Sequence, residues 1–177
     1  LVLKQRDLLT GEIQQKEYAG NDGAFQNEQI GERPEVGSML IQGLQKLTLL
    51  DYPGRVACTV FTAGCNFRCP FCHNASLVID TYRNEEIPLD TLFQFLRKRQ
   101  GVLDGVCVTG GEPLIQHDIE AFLKNIKELG YAVKLDTNGS YPKKLKEVVR
   151  AGLVDYVAMD IKNSREGYAK TIGIEDY

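Results

Sequence analysis

The chain has 177 residues, 43% of them hydrophobic and 25% charged, which is ordinary for a globular protein and enough for one domain with a buried core. Its formal net charge of −3 gives no sign of the basic surface that binds nucleic acid. No run of about 18 apolar residues could span a membrane, and the start has no signal-peptide pattern, so we expect a cytoplasmic protein without membrane or nucleic-acid partners.

Residues 1–38 differ from the rest of the chain. They carry seven acidic and four basic side chains and show little apolar periodicity after Leu9. Met39 is a natural start for a domain. We therefore divide the chain into an N-terminal extension of unknown role (1–38), which a fusion or cloning remnant would explain, and a main domain (39–177).

From Met39 onward, β-branched and apolar runs typical of strands alternate with apolar stripes at helical spacing. The strand-like runs are residues 56–61, 102–108, 131–135 and 154–159. The helical stripes begin near residues 89, 119, 145 and 165. Four such units in series predict an α/β fold with a parallel sheet and right-handed crossovers, either open or curling toward a barrel.

Every group of unusual residues comes at the end of one of the predicted strands. Residues 65–72 follow the first strand, 109–113 the second and 136–139 the third, while 160–162 end the fourth. The C-terminal ends of parallel strands share one face, and that face carries the active site in α/β proteins. We therefore expect these four segments to converge in space.

The cysteine cluster is the strongest of these signals. Cys65, Cys69 and Cys72 have the spacing C-x3-C-x2-C. Three thiolates on a single loop can bind three irons of one cubane and leave the fourth iron without a protein ligand. Because the chain has only five cysteines and three of them lie in this loop, the pattern indicates a metal or redox site in a reducing compartment.

Three other kinds of site remain open for the same cysteines. The run from Cys69 through Cys72 to His73 also matches the attachment pattern of c-type haem, but that site requires export and leaves Cys65 unexplained. A structural zinc site would need a fourth ligand, such as His73 or a remote cysteine. A thioredoxin-like dithiol would not need the third cysteine.

Other candidate residues have structural explanations as well. Cys58 and Cys107 lie in apolar strands, and we interpret them as core residues. His117 fits a surface or capping position. Glycines after a strand often form only a turn, and Asp136 and Asp160 could each cap the helix that follows.

The cysteine spacing, together with Phe71 just before the last cysteine, resembles the hallmark of the radical S-adenosylmethionine (SAM) superfamily. The resemblance implies that Cys65, Cys69 and Cys72 hold a [4Fe–4S] cluster and that SAM binds its open iron. It also implies that Phe71 and His73 pack on or contact the adenine side of SAM.

The glycine-rich segment at residues 110–113 matches the GGE-type motif of the same superfamily. Glycine lets backbone groups approach a ligand closely, here the aminoacyl end of SAM. The residues that the resemblance assigns to this contact are Gly110, Gly111 and Glu112.

Residues 136–139 and 159–162 resemble the corresponding segments of pyruvate formate-lyase activating enzymes. In that family the second segment contacts SAM, and the two aspartates help to bind a monovalent cation. The resemblance thus implies a cation or ribose role for Asp136 and SAM contacts for Asp160 and Lys162.

Residues 43–54, with the sequence GLQKLTLLDYPG, are similar to the activating proteins of anaerobic ribonucleoside-triphosphate reductases. These proteins are a branch of the glycyl-radical-enzyme activases. The resemblance implies reductive cleavage of SAM, reduced flavodoxin or ferredoxin as electron donor, and formation of a glycyl radical on a partner reductase. It also implies a partial (β/α)6 TIM-like radical SAM barrel, here truncated after about four βα units.

Two alternative functions stay open on the sequence alone. The first is a radical SAM enzyme that acts on a small molecule, such as a deazapurine-forming synthase. The second is a non-catalytic metal-binding module that holds zinc or a simple iron–sulfur centre.

Overall fold

The computed structural model describes residues 39–79 and 81–174. The predicted extension at residues 1–38 lies outside this part, and its role stays a prediction. The strands are β1 (Ile41–Thr48), β2 (Ala57–Thr62), β3 (Gly105–Gly110), β4 (Ala132–Thr137) and β5 (Tyr156–Met159). The helices are α1 (Ala75–Val78), α2 (Leu89–Arg99), α3 (Ile119–Glu128), α4 (Pro142–Arg150) and α5 (Tyr168–Ile172), with 3₁₀ turns at Thr81–Arg83 and Pro113–Ile115.

The five strands form one open sheet in the order β1-β2-β3-β4-β5. Strands β2 to β5 run parallel to one another, as the alternation of strands and helices predicts. This open α/β sheet fits a partial TIM-like fold. Because β2, β3 and β4 all end at the same edge, the segments that follow them are brought together.

Strand β1 was not predicted. It pairs antiparallel with β2, from Ile41 opposite Thr62 to Thr48 opposite Ala57, with two register shifts along the way. Its apolar side chains at Ile41, Leu44 and Leu47 recur every third residue instead of every second, so the period of a strand is not visible in the sequence.

One face of the parallel strands builds the hydrophobic core with helices α2, α3 and α4. Alternate residues of β2, β3 and β4 are fully buried on this face, namely Cys58, Val60, Val106, Val108, Val133 and Leu135. They pack with Leu92 and Leu96 of α2, Phe122, Leu123 and Ile126 of α3, and Val148 of α4. Cys58 is therefore a core residue as predicted, and burial raises the pKa of its thiol to about 12.

The opposite face of the same strands is polar. Thr59, Cys107 and Lys134 are register neighbours on β2, β3 and β4, and each is buried. The Thr59 hydroxyl donates a 2.6 Å hydrogen bond to Asp51, in the connection between β1 and β2. The sheet thus separates an apolar layer under the helices from a polar layer on its other side.

Strand β5 lies at the edge of the sheet, and within the described residues it pairs with β4 alone. Its side chains are largely exposed, including Tyr156, Val157 and Met159. No helix in the described ranges has the length and apolar character that crossing a membrane requires.

Candidate active site

The three clustered cysteines lie on one loop directly after β2. Cys65, Cys69 and Cys72 are all half-buried, and their thiols are free. The Cys72 N–H donates to the Cys69 carbonyl at 3.0 Å, which closes a tight turn between these two cysteines. The Phe67 N–H donates to the Cys65 sulfur at 3.3 Å. The loop therefore presents three thiols from a folded, hydrogen-bonded backbone.

The three thiols act on each other electrostatically. Burial raises the pKa of the Cys65 thiol, and the neighbouring Glu112, Cys72 and Cys69 raise it further. Burial also raises the pKa of Cys69, with opposing contributions from Lys162, which lowers it, and Cys72. A metal that binds thiolate would offset the cost of ionising these buried thiols.

Three cysteine thiols on one loop suit a cubane by their chemistry. Within residues 39–79 and 81–174, no group of three or more His, Cys, Asp or Glu side chains is arranged to hold one ion. A structural zinc would need four ligands around one point, whereas each thiolate of a cubane binds a different iron. Cys65, Cys69 and Cys72 provide three such separate ligands.

Helix α5 packs against the cysteine loop at Phe67 and Arg68. The Phe67 ring is 2% exposed and lies edge-on to Tyr168, with ring centroids 6.4 Å apart. The Arg68 N–H donates to the Ile172 carbonyl at 2.8 Å. Gly173, with φ +69°, ends α5 and lies so close to the cysteine loop that a Cβ there would be 2.3 Å from the Arg68 carbonyl oxygen. The last described helix is thus part of the site.

The glycine pair at the end of β3, Gly110 and Gly111, packs against the end of β2 and the start of the cysteine loop. A Cβ on Gly110, whose φ is +119°, would lie 2.2 Å from the Thr62 carbonyl oxygen. The Gly111 N–H donates to that same oxygen at 2.9 Å, and the Glu112 N–H donates to Gly64 at 2.8 Å. The close approach that glycine permits here is therefore between two protein backbones. Contact of Gly110 and Gly111 with SAM stays a prediction.

Glu112 ties the end of β3 to the end of β4. Its side chain is 0% exposed, and its carboxylate accepts hydrogen bonds from Thr137 Oγ1 at 2.8 Å and from the Asn138 N–H at 2.6 Å. The Leu114 N–H donates a third bond at 3.1 Å. Burial raises the pKa of this carboxyl, and the three hydrogen bonds oppose that shift. Both oxygens thus have partners within the protein, and contact of Glu112 with SAM stays a prediction.

Asp136 forms an ion pair that sequence reasoning missed. Its carboxylate accepts from the ammonium of Lys134, two residues earlier on the same face of β4, and from the Cys107 thiol at 3.5 Å. Burial acts to lower the pKa of Lys134, but the charge and hydrogen bond of Asp136, together with Cys107, raise it on balance. The spacing of Lys134 and Asp136 could have predicted this pair, because residues i and i+2 of a strand share a face. In the sequence, residues 131–135 predicted only a strand.

Cys107 is fully buried, as predicted, but it lies on the polar face of the sheet. Burial raises the pKa of its thiol strongly, and the nearby Asp136 adds to the shift. The Lys134 ammonium is 3.6 Å from the Cys107 sulfur. Cys107 is therefore a buried thiol within a charged cluster, whereas Cys58 is an apolar core residue.

Asp160 and Lys162 form a second acid–base pair, with 2.6 Å between Nζ and Oδ2. Burial acts to lower the pKa of Lys162, but Asp160 and the thiols of Cys69 and Cys72 raise it, so its ammonium is retained. The charge of Lys162 therefore acts on the cysteine loop. Contact of Asp160 and Lys162 with SAM stays a prediction.

The alternative explanation of the aspartates as helix caps is wrong. The residue that caps α4 is Tyr141, and the one that caps α5 is Gly167, so neither Asp136 nor Asp160 has this position.

His117 lies at the surface, as predicted, with its ring 2.7 Å from Asp118.

Phe71 and His73 remain exposed next to the last cysteine. Phe71 is 46% exposed, which is unusual for an aromatic side chain beside a folded loop. Both are free to meet a ligand from the solvent side, and their contact with adenine stays a prediction.

Comparison with known proteins adds independent observations. The family model described as the radical SAM superfamily matches residues 59–177. A candidate glycyl-radical enzyme activating enzyme of Methanocaldococcus jannaschii is 35% identical over 137 residues, which cover 75% of this chain and 54% of that protein. A 7-carboxy-7-deazaguanine synthase of Thermoplasma acidophilum is 34% identical over 112 residues, 63% of this chain and 49% of that protein.

Among solved structures, the QueE protein of Escherichia coli matches with a TM-score of 0.46 and 22% identity, over 58% of this chain and 53% of that one. The chain spans about half the length of the curated relatives that it matches.

Proposed function

Because this chain belongs to the radical SAM superfamily, we propose that it is an activase that forms a glycyl radical on a partner enzyme, with Cys65, Cys69 and Cys72 as ligands of a [4Fe–4S] cluster. The observation that carries the proposal is that three free, half-buried cysteines lie on one hydrogen-bonded loop directly after β2. When bound, the cluster supplies the electron that cleaves SAM.

The residues around the loop have distinct tasks in this proposal. Gly110 and Gly111 hold the end of β3 against the cysteine loop, and their backbone would meet the aminoacyl end of SAM. Lys162 keeps a positive charge beside Cys69 and Cys72, where the carboxylate of SAM would be attracted. Phe71 and His73 offer exposed rings for stacking on adenine.

The proposed partner is an anaerobic ribonucleoside-triphosphate reductase, and the proposed electron donor is reduced flavodoxin or ferredoxin. Support comes from the stretch at residues 43–54 and from the relative of M. jannaschii, which is named for activation of a glycyl-radical enzyme. A reducing, cytoplasmic compartment belongs to the same proposal, since all five cysteines are free.

A radical SAM enzyme acting on a small molecule is the second candidate. It is favoured by the relative of T. acidophilum, which is named as a deazaguanine synthase and has nearly the same identity to this chain. The two candidates share the cluster and SAM and differ only in what receives the radical.

The monovalent cation is left out of the proposed function. Both aspartates that the resemblance assigned to it already have an ammonium partner, Lys134 for Asp136 and Lys162 for Asp160. Each carboxylate charge is thus balanced within the protein.

The test is anaerobic reconstitution of the full chain with iron and sulfide, followed by iron and sulfide analysis and detection of 5′-deoxyadenosine after reduction with SAM. We expect about four irons per chain, and we expect Cys69→Ala to abolish the product. Cys58→Ala is the matched control, because this cysteine lies in the hydrophobic core under the helices and not in the cysteine loop. One bound zinc without iron, or an active Cys69→Ala protein, would refute the proposal.

A second measurement separates the two candidates. The reconstituted chain is incubated with SAM and a candidate anaerobic reductase, and the mixture is examined by electron paramagnetic resonance. A glycyl radical on the reductase supports the activase. Formation of 5′-deoxyadenosine without any protein radical favours the small-molecule enzyme.

A further inference from the structure

We propose that Asn138 is a positioning residue that donates a hydrogen bond to the Cys65 thiolate and so raises the reduction potential of the cluster. The inference rests on the proposed function, because it requires that cluster. Asn138 follows β4, and its Nδ2 atom is 3.8 Å from the Cys65 sulfur, although the two residues are 73 positions apart. The contact therefore links the ends of two separate strands.

The orientation of the Asn138 amide is determined by Ser140. The side-chain oxygen of Asn138 accepts hydrogen bonds from the Ser140 N–H at 3.0 Å and from the Ser140 hydroxyl at 2.6 Å. A backbone N–H can only donate, so the group that faces it must be the oxygen of the amide. The Nδ2 group is consequently directed to the other side, toward the cysteine loop.

A closed ring of hydrogen bonds holds this arrangement. Asn138 Nδ2 donates to the Asn66 side-chain oxygen at 2.9 Å, and Asn66 Nδ2 donates to the Ser140 hydroxyl oxygen at 2.9 Å. The Ser140 hydroxyl closes the ring by donating to Asn138. Asn138 Nδ2 carries two hydrogens, of which Asn66 takes one, so the second is available for the Cys65 sulfur.

The backbone of Asn138 is fixed as well. Its N–H donates to the buried Glu112 carboxylate at 2.6 Å, which sets the position from which the side chain reaches Cys65. The Cys65 sulfur also accepts from the Phe67 N–H at 3.3 Å within its own loop. Cys65 therefore has one donor from its own loop and a second from the end of β4.

Hydrogen bonds to the sulfurs of an iron–sulfur cluster are one of the factors that set its potential. Reduction adds negative charge to the cluster, so a donor at a ligating sulfur stabilises the reduced state more than the oxidised state. Removing the Asn138 amide should therefore make the cluster harder to reduce. This effect differs from that of a residue that only supports the loop, which would change iron content without shifting the potential.

The experiment compares Asn138→Leu, which has a similar size but no donor, with the wild-type chain and with Ser140→Ala. Ser140→Ala breaks the ring but keeps the backbone N–H that orients Asn138, and it keeps Nδ2 near Cys65. Asn138→Ser is a second variant whose shorter side chain cannot reach the sulfur, for the case that leucine prevents folding. Each reconstituted protein is analysed for iron and sulfide, and its midpoint potential is measured by anaerobic redox titration.

We expect both Asn138 variants to retain the cluster with a more negative potential, by up to about tenfold in the reduction equilibrium constant (~59 mV for one electron). Ser140→Ala should stay close to the wild-type potential. Midpoint potentials equal to that of the wild type in both Asn138 variants would overturn this inference but not the proposed function. A lower iron content in Asn138→Ser, with an unchanged midpoint potential of the remaining cluster, would overturn it as well. A wild-type chain that assembles no cluster would overturn the proposed function together with this inference.

Discussion

Gly111 lies so close to Gly64 that a Cβ atom on Gly111 would be 1.8 Å from the Gly64 carbonyl oxygen. Gly64 immediately precedes the first clustered cysteine. The end of β3 and the start of the cysteine loop are therefore in direct backbone contact, and the position of Cys65 depends on the absence of a side chain at residue 111. The backbone at Gly111 has no unusual φ, so its requirement for glycine is purely steric.

We predict that Gly111→Ala displaces the cysteine loop and lowers both cluster content and stability. Backbone atoms cannot move aside as a flexible side chain does, so we expect a loss of about 3 kcal/mol in the free energy of unfolding, at the upper end of what overpacking costs. The measurements are anaerobic urea unfolding of the cluster-free chain and iron analysis after reconstitution.

Gly130→Ala is the matched control for that prediction. Gly130 has φ +86°, but a Cβ there would meet no atom within 4 Å. The control therefore carries only backbone strain, which costs about 1–2 kcal/mol. Equal losses in the two variants would contradict the steric argument at Gly111.

We predict that Glu112→Gln destabilises the chain by about 1–3 kcal/mol. The substitution turns one of the two carboxylate oxygens into an NH₂ group. One oxygen accepts from the Asn138 N–H and the other from Leu114 and Thr137, so in either orientation the NH₂ group would face a donor. Thermal and urea unfolding measure the loss. Glu128→Gln, at an exposed residue of α3, is the control and should be neutral. An unchanged stability of Glu112→Gln would contradict the bonding assigned to this carboxylate.

The pH dependence of stability should show the titration of Glu112. Burial raises its pKa above the ordinary value in the folded chain. Between the ordinary and the raised value the folded state binds more protons than the unfolded state, so this group makes stability fall as the pH rises through that interval. This fall in the free energy of unfolding should be absent in Glu112→Gln. If the stabilities of the wild type and the variant differ by the same amount at every pH in this interval, the prediction is contradicted.

Lys134→Met should destabilise the chain by about 1–3 kcal/mol, because it leaves the Asp136 carboxylate without its partner. This loss in the free energy of unfolding is smaller than for a fully buried ion pair, because the Asp136 side chain is 31% exposed and solvent screens its charge. The double variant Lys134→Met/Asp136→Asn should recover much of the loss. Strictly additive losses in urea unfolding would show that the two residues do not interact.

The contribution of Lys134 should be lost at alkaline pH. Its pKa is raised in the folded chain, so the stabilisation is fully present below the ordinary lysine pKa and disappears as the pH rises through the raised value. Unfolding measured across the alkaline range should therefore show a steeper decline for the wild type than for Lys134→Met.

Sodium or potassium should not stabilise this chain beyond an effect of ionic strength. Asp136 and Asp160 each have an ammonium partner, so neither has an unbalanced charge for a monovalent cation. Melting temperatures of the SAM-bound, reconstituted chain in sodium, potassium and choline chloride at equal concentration should agree. A specific rise with one metal cation would indicate a bound ion, since binding to the folded state raises stability.

The elements of the parallel sheet were predictable because their patterns are local. The stripe at Ile119, Phe122 and Ile126 has the spacing of one helix face, and α3 spans Ile119–Glu128 as expected. The same reasoning failed for β1, whose apolar residues are spaced by three. A strand at the edge of a sheet has fewer partners to enforce an alternating pattern, so its assignment depends on pairing with β2.

What the sequence by itself determined is the chemistry available: three cysteines at a characteristic spacing, a glycine pair and acidic residues, each at the end of a strand. Only the tertiary structure decided which groups these residues meet. It turned Glu112 inward to the end of β4, joined Asp136 to Lys134, and brought Asn138 to Cys65. The physical reason is that spacing along the chain records local geometry, whereas these contacts depend on the register between neighbouring parallel strands and on the face from which each side chain emerges.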